Sequence, residues 1–227
     1  MAMFRFFNKI YCINLDSRPD RMVLCSERLS KYVIGEVERF SGYALENGAH
    51  GHCKTYCTLI DVCLMSGVEN CLLLEDDVSF TVAVEEFNDI LRAAVSELPN
   101  DWDALYLGGT LCDNYISSPI STYSKHLYRL HSAFATQAVA FSRKGLIKIR
   151  ESFSDSQDWW CEALTKTNGY SFDVFLAKDF LPNSNCFITK EMLCGQCPDW
   201  SNILNTHTDY NKLMLDRFNH YKSQLHE

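Results

Sequence analysis

The sequence predicts an α/β fold, a mixed and mostly parallel sheet flanked by helices. Three observations predict it. Short apolar runs at residues 9–15, 71–75 and 103–107 have the length of buried strands, and Cys71-Leu72-Leu73-Leu74 has no polar interruption, as in a strand covered on both faces. Between these runs, apolar residues recur every three or four positions, the pattern of amphipathic helices. The resulting order over the first half, strand, helix, strand, helix, strand, helix, strand, is the order that builds parallel sheets with helical crossovers.

Taken along the chain, Lys9–Leu15 is the first strand. Ser17 suits a helix N-cap, with Pro19 in the first turn and Asp20 three residues after the cap. Met22, Cys25, Leu29 and Tyr32 continue that helix, and Gly35 ends it. Residues 37–40 form a second strand. Gly48 and Gly51 open a helix whose apolar face is Tyr56, Leu59, Ile60, Cys63 and Leu64, with Gly67 closing it. After the 71–75 strand, Phe87, Ile90, Leu91, Ala94, Val95 and Leu98 give the cleanest helical pattern, stopped by Pro99-Asn100. The strand at 103–107 breaks at Gly108-Gly109.

The second half is less regular. Residues 112–124 are polar and turn-rich and read as a loop. Strands are expected at 126–130, 136–142 and 186–189, and a short helix at 145–150. Trp159, Trp160, Ala163 and Leu164 suggest another helix ending near Gly169, and residues 170–180 a further one. In the tail, Tyr210, Leu213, Phe218, Tyr221 and Leu225 share one helical face. No repeat, low-complexity tract or linker interrupts the chain, so residues 1–227 read as one domain.

The 47% hydrophobic and 22% charged content is that of an ordinary globular protein. A net charge of −8 argues against a general nucleic-acid binder, though not against an anionic small molecule bound through a metal. Eleven cysteines with no compact framework, no secretory signal at the start and no run near the roughly 18 apolar residues of a membrane span lead us to expect reduced thiols in a cytoplasmic protein. Cys194 and Cys197 have CxxC spacing without a second pair and read as structural.

Chemistry concentrates in five places. The 71–75 strand runs straight into Glu75, Asp76 and Asp77, at the carboxyl end where open α/β sheets bind ligands. Adjacent carboxylates repel, and a hard divalent cation such as Mg²⁺ or Mn²⁺ relieves that repulsion. In an extended chain Glu75 and Asp77 point one way and Asp76 the other, making Asp77 the best ligand with Glu75 or Asp76 assisting. An acidic turn capping the next helix is the plainer reading. Asn14, Arg18 and Arg21 surround a strand-to-helix transition, where backbone N–H groups and guanidinium forks suit phosphate; a capped helix with exposed arginines is the alternative. Gly48 to Lys54 could meet a phosphate through Lys54, or simply start a helix; it is no P-loop. Asp173 lies among aromatic neighbours, where burial suits it to take a proton from a hydroxyl, or else it caps its helix. His207 could join the metal if the tail folds back over the sheet.

In order, these segments resemble glycosyltransferase family 25. Residues 13–21 (INLDSRPDR) look like its opening motif and Leu74-Glu75-Asp76-Asp77 like its acidic motif. Residues 101–108 and 136–145 are similar to its later strands, residues 171–176 to its late Asp motif, and Ser201-Asn202-Ile203 to its terminal motif. The chain departs from the family's Ser-His pair, reading Thr55-Tyr56 instead. The resemblance implies a GT-A fold and inverting, Mn²⁺- or Mg²⁺-dependent transfer of a hexose from a nucleotide sugar, UDP-linked, to a hydroxyl of a glycan or glycoconjugate. It implies Asp77, with Glu75 or Asp76, at the metal, Arg18 and Arg21 near the phosphates, and Asp173 as general base. Two other readings stand beside it: a nucleotidyltransferase making nucleotide sugars, disfavoured by the lack of glycine between Asn14 and Arg21, and a non-catalytic glycan- or nucleotide-binding module.

Overall fold

The computed structural model describes residues 6–32, 35–152, 157–167, 170–201 and 206–225. The first half runs β1 (Lys9–Leu15), α1 (Pro19–Lys31), β2 (Val37–Gly42), α2 (Gly48–Met65), β3 (Asn70–Glu75), β4 (Val78–Phe80), α3 (Val84–Ser96) and β5 (Ala104–Tyr106). Five short strands follow: β6 (Thr110–Leu111), β7 (Ile120–Thr122), β8 (Leu127–Leu130), β9 (Ala133–Phe134) and β10 (Ala138–Ser142). Then come α4 (Arg143–Glu151), α5 (Gln157–Glu162), α6 (Phe172–Phe175), β11 (Cys186–Thr189), β12 (Cys194–Gln196), β13 (Asp199–Ser201), β14 (Thr206–Thr208) and α7 (Asn211–Gln224).

Eight strands form the central sheet in the order β2-β1-β3-β10-β5-β11-β8-β7. β1 pairs parallel with β2 and β3, and β5 with β11, whereas β10 is antiparallel to both β3 and β5. β8 is antiparallel to β11 and β7, so only β10 and β8 run against the other strands. This is the mixed, mostly parallel sheet expected from the sequence. Between β5 and β10 the chain runs through short antiparallel strands with no helical crossover, the usual route to a parallel neighbour, and β10 enters reversed.

Side chains alternate between the two faces. Tyr11, Ile13, Leu73, Val139, Phe141, Tyr106 and Ile188 pack under α2, α4, α6 and α7. Ile10, Cys12, Leu72, Leu74, Ala138, Ala140, Leu105 and Phe187 pack under α1 and α3. Burial on both faces explains why β3 is an unbroken apolar run. α3 buries Phe87, Leu91 and Ala94, the stripe read from the sequence.

Several local expectations shift. The cap of α1 is Arg18 and not Ser17, because the Arg18 N–H closes a turn on the Leu15 carbonyl (2.9 Å) and Pro19 takes the first helical position, where no N–H is needed. α1 ends at Lys31, before Gly35. Gly67 follows α2 with φ +72, a left-handed turn that suits glycine. The expected loop at 112–124 contains β7, an edge strand too short to show alternation. The 170–180 helix is α6 followed by a π-helical turn at Leu176–Phe180. Leu213 is exposed and Met214 takes its place on the buried face of α7. The expected helix end near Gly169, and Asn202 and Ile203 of the terminal motif, lie outside the described residues.

Candidate active site

The register of β1 against β3 builds the site. Ile13 pairs with Glu75, and the Asp76 N–H donates to the Ile13 carbonyl (3.1 Å). Asn14 therefore meets Asp76: its amide nitrogen donates to Asp76 Oδ2 (2.7 Å) and to the Arg18 carbonyl (2.9 Å), and its Oδ1 accepts from Arg39 (3.0 Å). β3 ends at Glu75, and Asp76 and Asp77 form a turn. The expected alternation stops there, because a turn does not hold the two-residue side-chain period of a strand. Asp76 and Asp77 converge on one guanidinium, with Arg21 Nη2 2.8 Å from Asp76 Oδ1 and 2.8 Å from Asp77 Oδ2. Arg28, seven residues along α1 and so on the same face, donates to the Asp76 and Val78 carbonyls (2.8 and 2.9 Å). α1 thus holds the turn through its charges and its backbone.

β12 closes the other side. It pairs antiparallel with β4, and the Gln196 amide nitrogen donates to Asp77 Oδ2 (2.8 Å). Cys194 is buried on this strand, and Cys197 donates its backbone N–H to the Asp77 carbonyl (2.6 Å), so the CxxC pair backs the acidic turn. Among the described residues there is no disulfide. Gly108 lies directly against this strand, for a Cβ there would overlap the Cys194 carbonyl oxygen.

Glu75 faces a different cluster. Its Oε1 lies 3.2 Å from His52 Nε2, 2.9 Å from the Tyr56 hydroxyl and 2.6 Å from the Thr136 hydroxyl. Burial would raise the Glu75 carboxyl, but the His52 interaction and the two hydroxyls outweigh it and bring it down to about 2. Burial likewise opposes charge on His52, and Glu75 outweighs it, so the imidazole is raised. The two form a part-buried ion pair. Asp77 behaves oppositely: burial and then the like charge of Glu75 push it up to about 6, with Arg21 and Gln196 opposing. Burial also raises Asp76 against Arg21 and Asn14.

Two cavities meet here. One, about 460 Å³, opens over Asn14, Arg18, Arg21, Asp76, Asp77 and the aromatic Tyr43 and Trp200. The other, about 350 Å³, leads to Asp173, Thr136 and Phe134. His52, Glu75 and Gln196 line both. Asp173 is half-buried at the start of α6. Its Oδ2 accepts the Ala135 N–H (3.2 Å), from a residue held at φ +70, and its Oδ1 accepts the Val174 N–H (3.0 Å) and the Ser171 hydroxyl.

Of the residues singled out from the sequence, Asn14, Arg18, Arg21, Asp76 and Asp77 come together, and Asp173 sits across the junction. Arg18 is engaged by Asp20 (2.9 Å) and Asp199 (3.0 Å). Lys54 stands over the Tyr43 ring, 5.1 Å from its centroid. His207 is exposed on β14, its ring 5.8 Å from that of Trp200. Among the described residues, Glu75, Asp77 and His207 do not form a set of three with close donor atoms.

A divalent cation fits the acidic turn in a limited way. Asp77 Oδ1 is buried with no hydrogen-bond partner among the described residues, whereas both Asp76 oxygens and Glu75 Oε1 are engaged. One carboxylate, with the remaining positions left to phosphate and water, is a common donor set for Mg²⁺.

Thr136, Gln196 and Arg28 carry no signal of a site role in the sequence; His52 lies in the Gly48–Lys54 helix start and Tyr56 in the pair that departs from family 25, but neither is placed against Glu75 by the sequence. His52 and Tyr56 are one helical turn apart, a spacing visible in the sequence, but that both face Glu75 is not.

No protein-family model matches the chain, and no curated protein matches it. Among solved structures, mannose-1-phosphate geranyltransferase from Thermus thermophilus is similar at TM-score 0.49 and 11% identity, covering 80% of this chain and 72% of its own. A glycosyltransferase involved in glycosylation of the major capsid of PBCV-1 is similar at TM-score 0.48 and 10% identity, covering 94% and 98%. CMP:2-keto-3-deoxy-manno-octonic acid synthetase, complexed with CTP, is similar at TM-score 0.38 and 10% identity, covering 81% and 91%. The sheet topology itself carries the α/β assignment, and the resemblance to family 25 rests on its ordered motifs.

Proposed function

We propose that the chain, as one domain, is a glycosyltransferase that moves a hexose from a nucleotide sugar, UDP-linked, to a hydroxyl of a glycan or glycoconjugate with inversion. The observation that carries this reading is the junction of two cavities. One is lined by arginines and aspartates at the carboxyl ends of β1 and β3, and the other leads to a carboxylate in reach of a bound acceptor.

On this reading the sugar diphosphate lies over Arg18 and Arg21, which exchange their aspartate partners for phosphate oxygens. Tyr43 and Trp200 offer faces to the nucleoside. Mn²⁺ or Mg²⁺ held through Asp77 Oδ1 would offset the charge developing on the departing nucleoside diphosphate. The Glu75–His52 pair, with Tyr56 and Thr136, orders the wall where the sugar crosses between cavities. The acceptor hydroxyl enters from the second cavity and gives its proton to Asp173. Its oxygen forms the new bond to the anomeric carbon as the bond to phosphate breaks on the opposite face.

The test is donor turnover, with and without Mn²⁺, for wild type, Asp77→Ala and Asp173→Asn. Loss of turnover in Asp77→Ala, and loss of transfer with donor binding kept in Asp173→Asn, are expected. Full activity of Asp77→Ala, or full activity in a chelator, refutes the metal assignment. Unchanged turnover of Asp173→Asn removes it as the base. Pyrophosphate release from a nucleoside triphosphate and a sugar phosphate would replace transfer by nucleotidyl chemistry.

A further inference from the structure

We propose that Cys53, Cys57 and Cys161 form a three-thiol site for a trivalent thiophilic metalloid, for which arsenite is the probe. Cys53 and Cys57 are one turn apart on α2 and Cys161 is on α5. The Sγ atoms of Cys53 and Cys161 are 3.2 Å apart and those of Cys161 and Cys57 are 3.6 Å apart. Among the described residues this is the one group of three His, Cys, Asp or Glu side chains whose donor atoms all lie within 4.8 Å of one another.

Geometry and charge both select the ion. With bonds to sulfur of about 2.3 Å, three sulfurs in a plane around an ion stand roughly 4 Å apart, and in a pyramid about 3.5 Å. The two Cys161 spacings, 3.2 and 3.6 Å, bracket the pyramid's value, and the third sulfur pair lies within 4.8 Å. All three residues are fully buried. The Cys161 thiol foremost pushes Cys53 up, and burial foremost pushes Cys57 up, so both resist carrying charge. Three thiolates around Zn²⁺ or Cu⁺ would leave net negative charge in an apolar core, which is costly, and Zn²⁺ also seeks a fourth ligand. Arsenite avoids both problems. As(OH)₃ and three thiols give As(SR)₃ and three waters. Three As–O and three S–H bonds break, and three As–S and three O–H bonds form. Each thiol proton leaves with a departing hydroxyl, and no atom changes oxidation state. Reactants and products are all neutral.

The site lies directly behind the candidate active site. Cys53 follows His52, and Cys57 follows Tyr56, the two α2 residues that hold Glu75. An occupant ties this stretch of α2 to α5. The Cys12–Cys25 pair, with Sγ atoms 3.6 Å apart on the other side of the sheet, offers only two sulfurs and serves as an internal control.

The test is to equilibrate the reduced full chain with arsenite, then count bound arsenic by native mass spectrometry and its neighbours by arsenic X-ray absorption. One arsenic per chain with three sulfurs and no oxygen is expected. Cys161→Ala should release arsenic at least about tenfold faster, from a two-sulfur shell, while Cys12→Ala behaves as wild type. No retained arsenic, a two-sulfur shell in wild type, or loss of binding in Cys12→Ala overturns the proposal. The wild-type shell count decides the question even if Cys161→Ala fails to fold.

Discussion

Replacing Glu75 by Gln tests the part-buried ion pair beside the acidic turn. The carboxyl is held at about 2 against an ordinary value of 4.5, which corresponds to about 3 kcal/mol. Gln keeps an acceptor for Tyr56 and Thr136 but removes the charge facing His52. It also relieves the like-charge repulsion that raises Asp77, which returns about 1 kcal/mol, so a net loss of about 2 kcal/mol is expected. The pH dependence has two arms. Glu75 is lowered, so its contribution is complete above 4.5 and fades as pH falls toward 2. His52 is raised, so its contribution is complete below 6.5 and fades as pH climbs through its higher folded value. The destabilisation should therefore peak between pH 4.5 and 6.5. Urea unfolding of wild type and Glu75→Gln at pH 5.5, 3.5 and 9 reads it directly. The penalty should shrink by about 1 kcal/mol on going from pH 5.5 to 3.5. A penalty that is the same at all three pH values, or below about 0.5 kcal/mol at pH 5.5, refutes the ion-pair account.

Arg21→Gln leaves buried Asp76 and part-buried Asp77 side by side without their shared cation; a loss of about 3 kcal/mol is expected, partly recovered in a Mn²⁺-containing buffer, by thermal or urea melts. Gly108→Ala drives a Cβ into the Cys194 carbonyl and must displace β12, costing on the order of 2 kcal/mol and moving Gln196 from Asp77; unchanged stability would show that the contact yields freely. Leu73→Ala empties a fully buried position in β3 and should cost about 3 kcal/mol, measured by urea unfolding.

Much of the fold is legible in the sequence because it depends on local periodicity. β1 and β11 have the ends expected of them, and β3 and α3 carry the buried stripes that their patterns demand. Short edge and hairpin strands such as β7, β12, β13 and β14 are invisible for the same reason: two or three residues carry no period. The π-helical turn after α6 is likewise a packing outcome, since it shares its composition with an ordinary helix.

That a buried strand ends in three carboxylates, and that two arginines follow the first strand, can be read from the amino-acid order alone, because strand length, burial and helix starts are encoded within a dozen residues. How those charges pair is settled by the packing of the whole chain. The β1–β3 register puts Asn14 on Asp76, the turn after β3 aims Asp76 and Asp77 at Arg21, and α2 draws Glu75 away to His52 and Tyr56. These partners lie between 19 and 62 residues apart in the chain, and their meeting depends on sheet order and helix rotation, which no local pattern specifies.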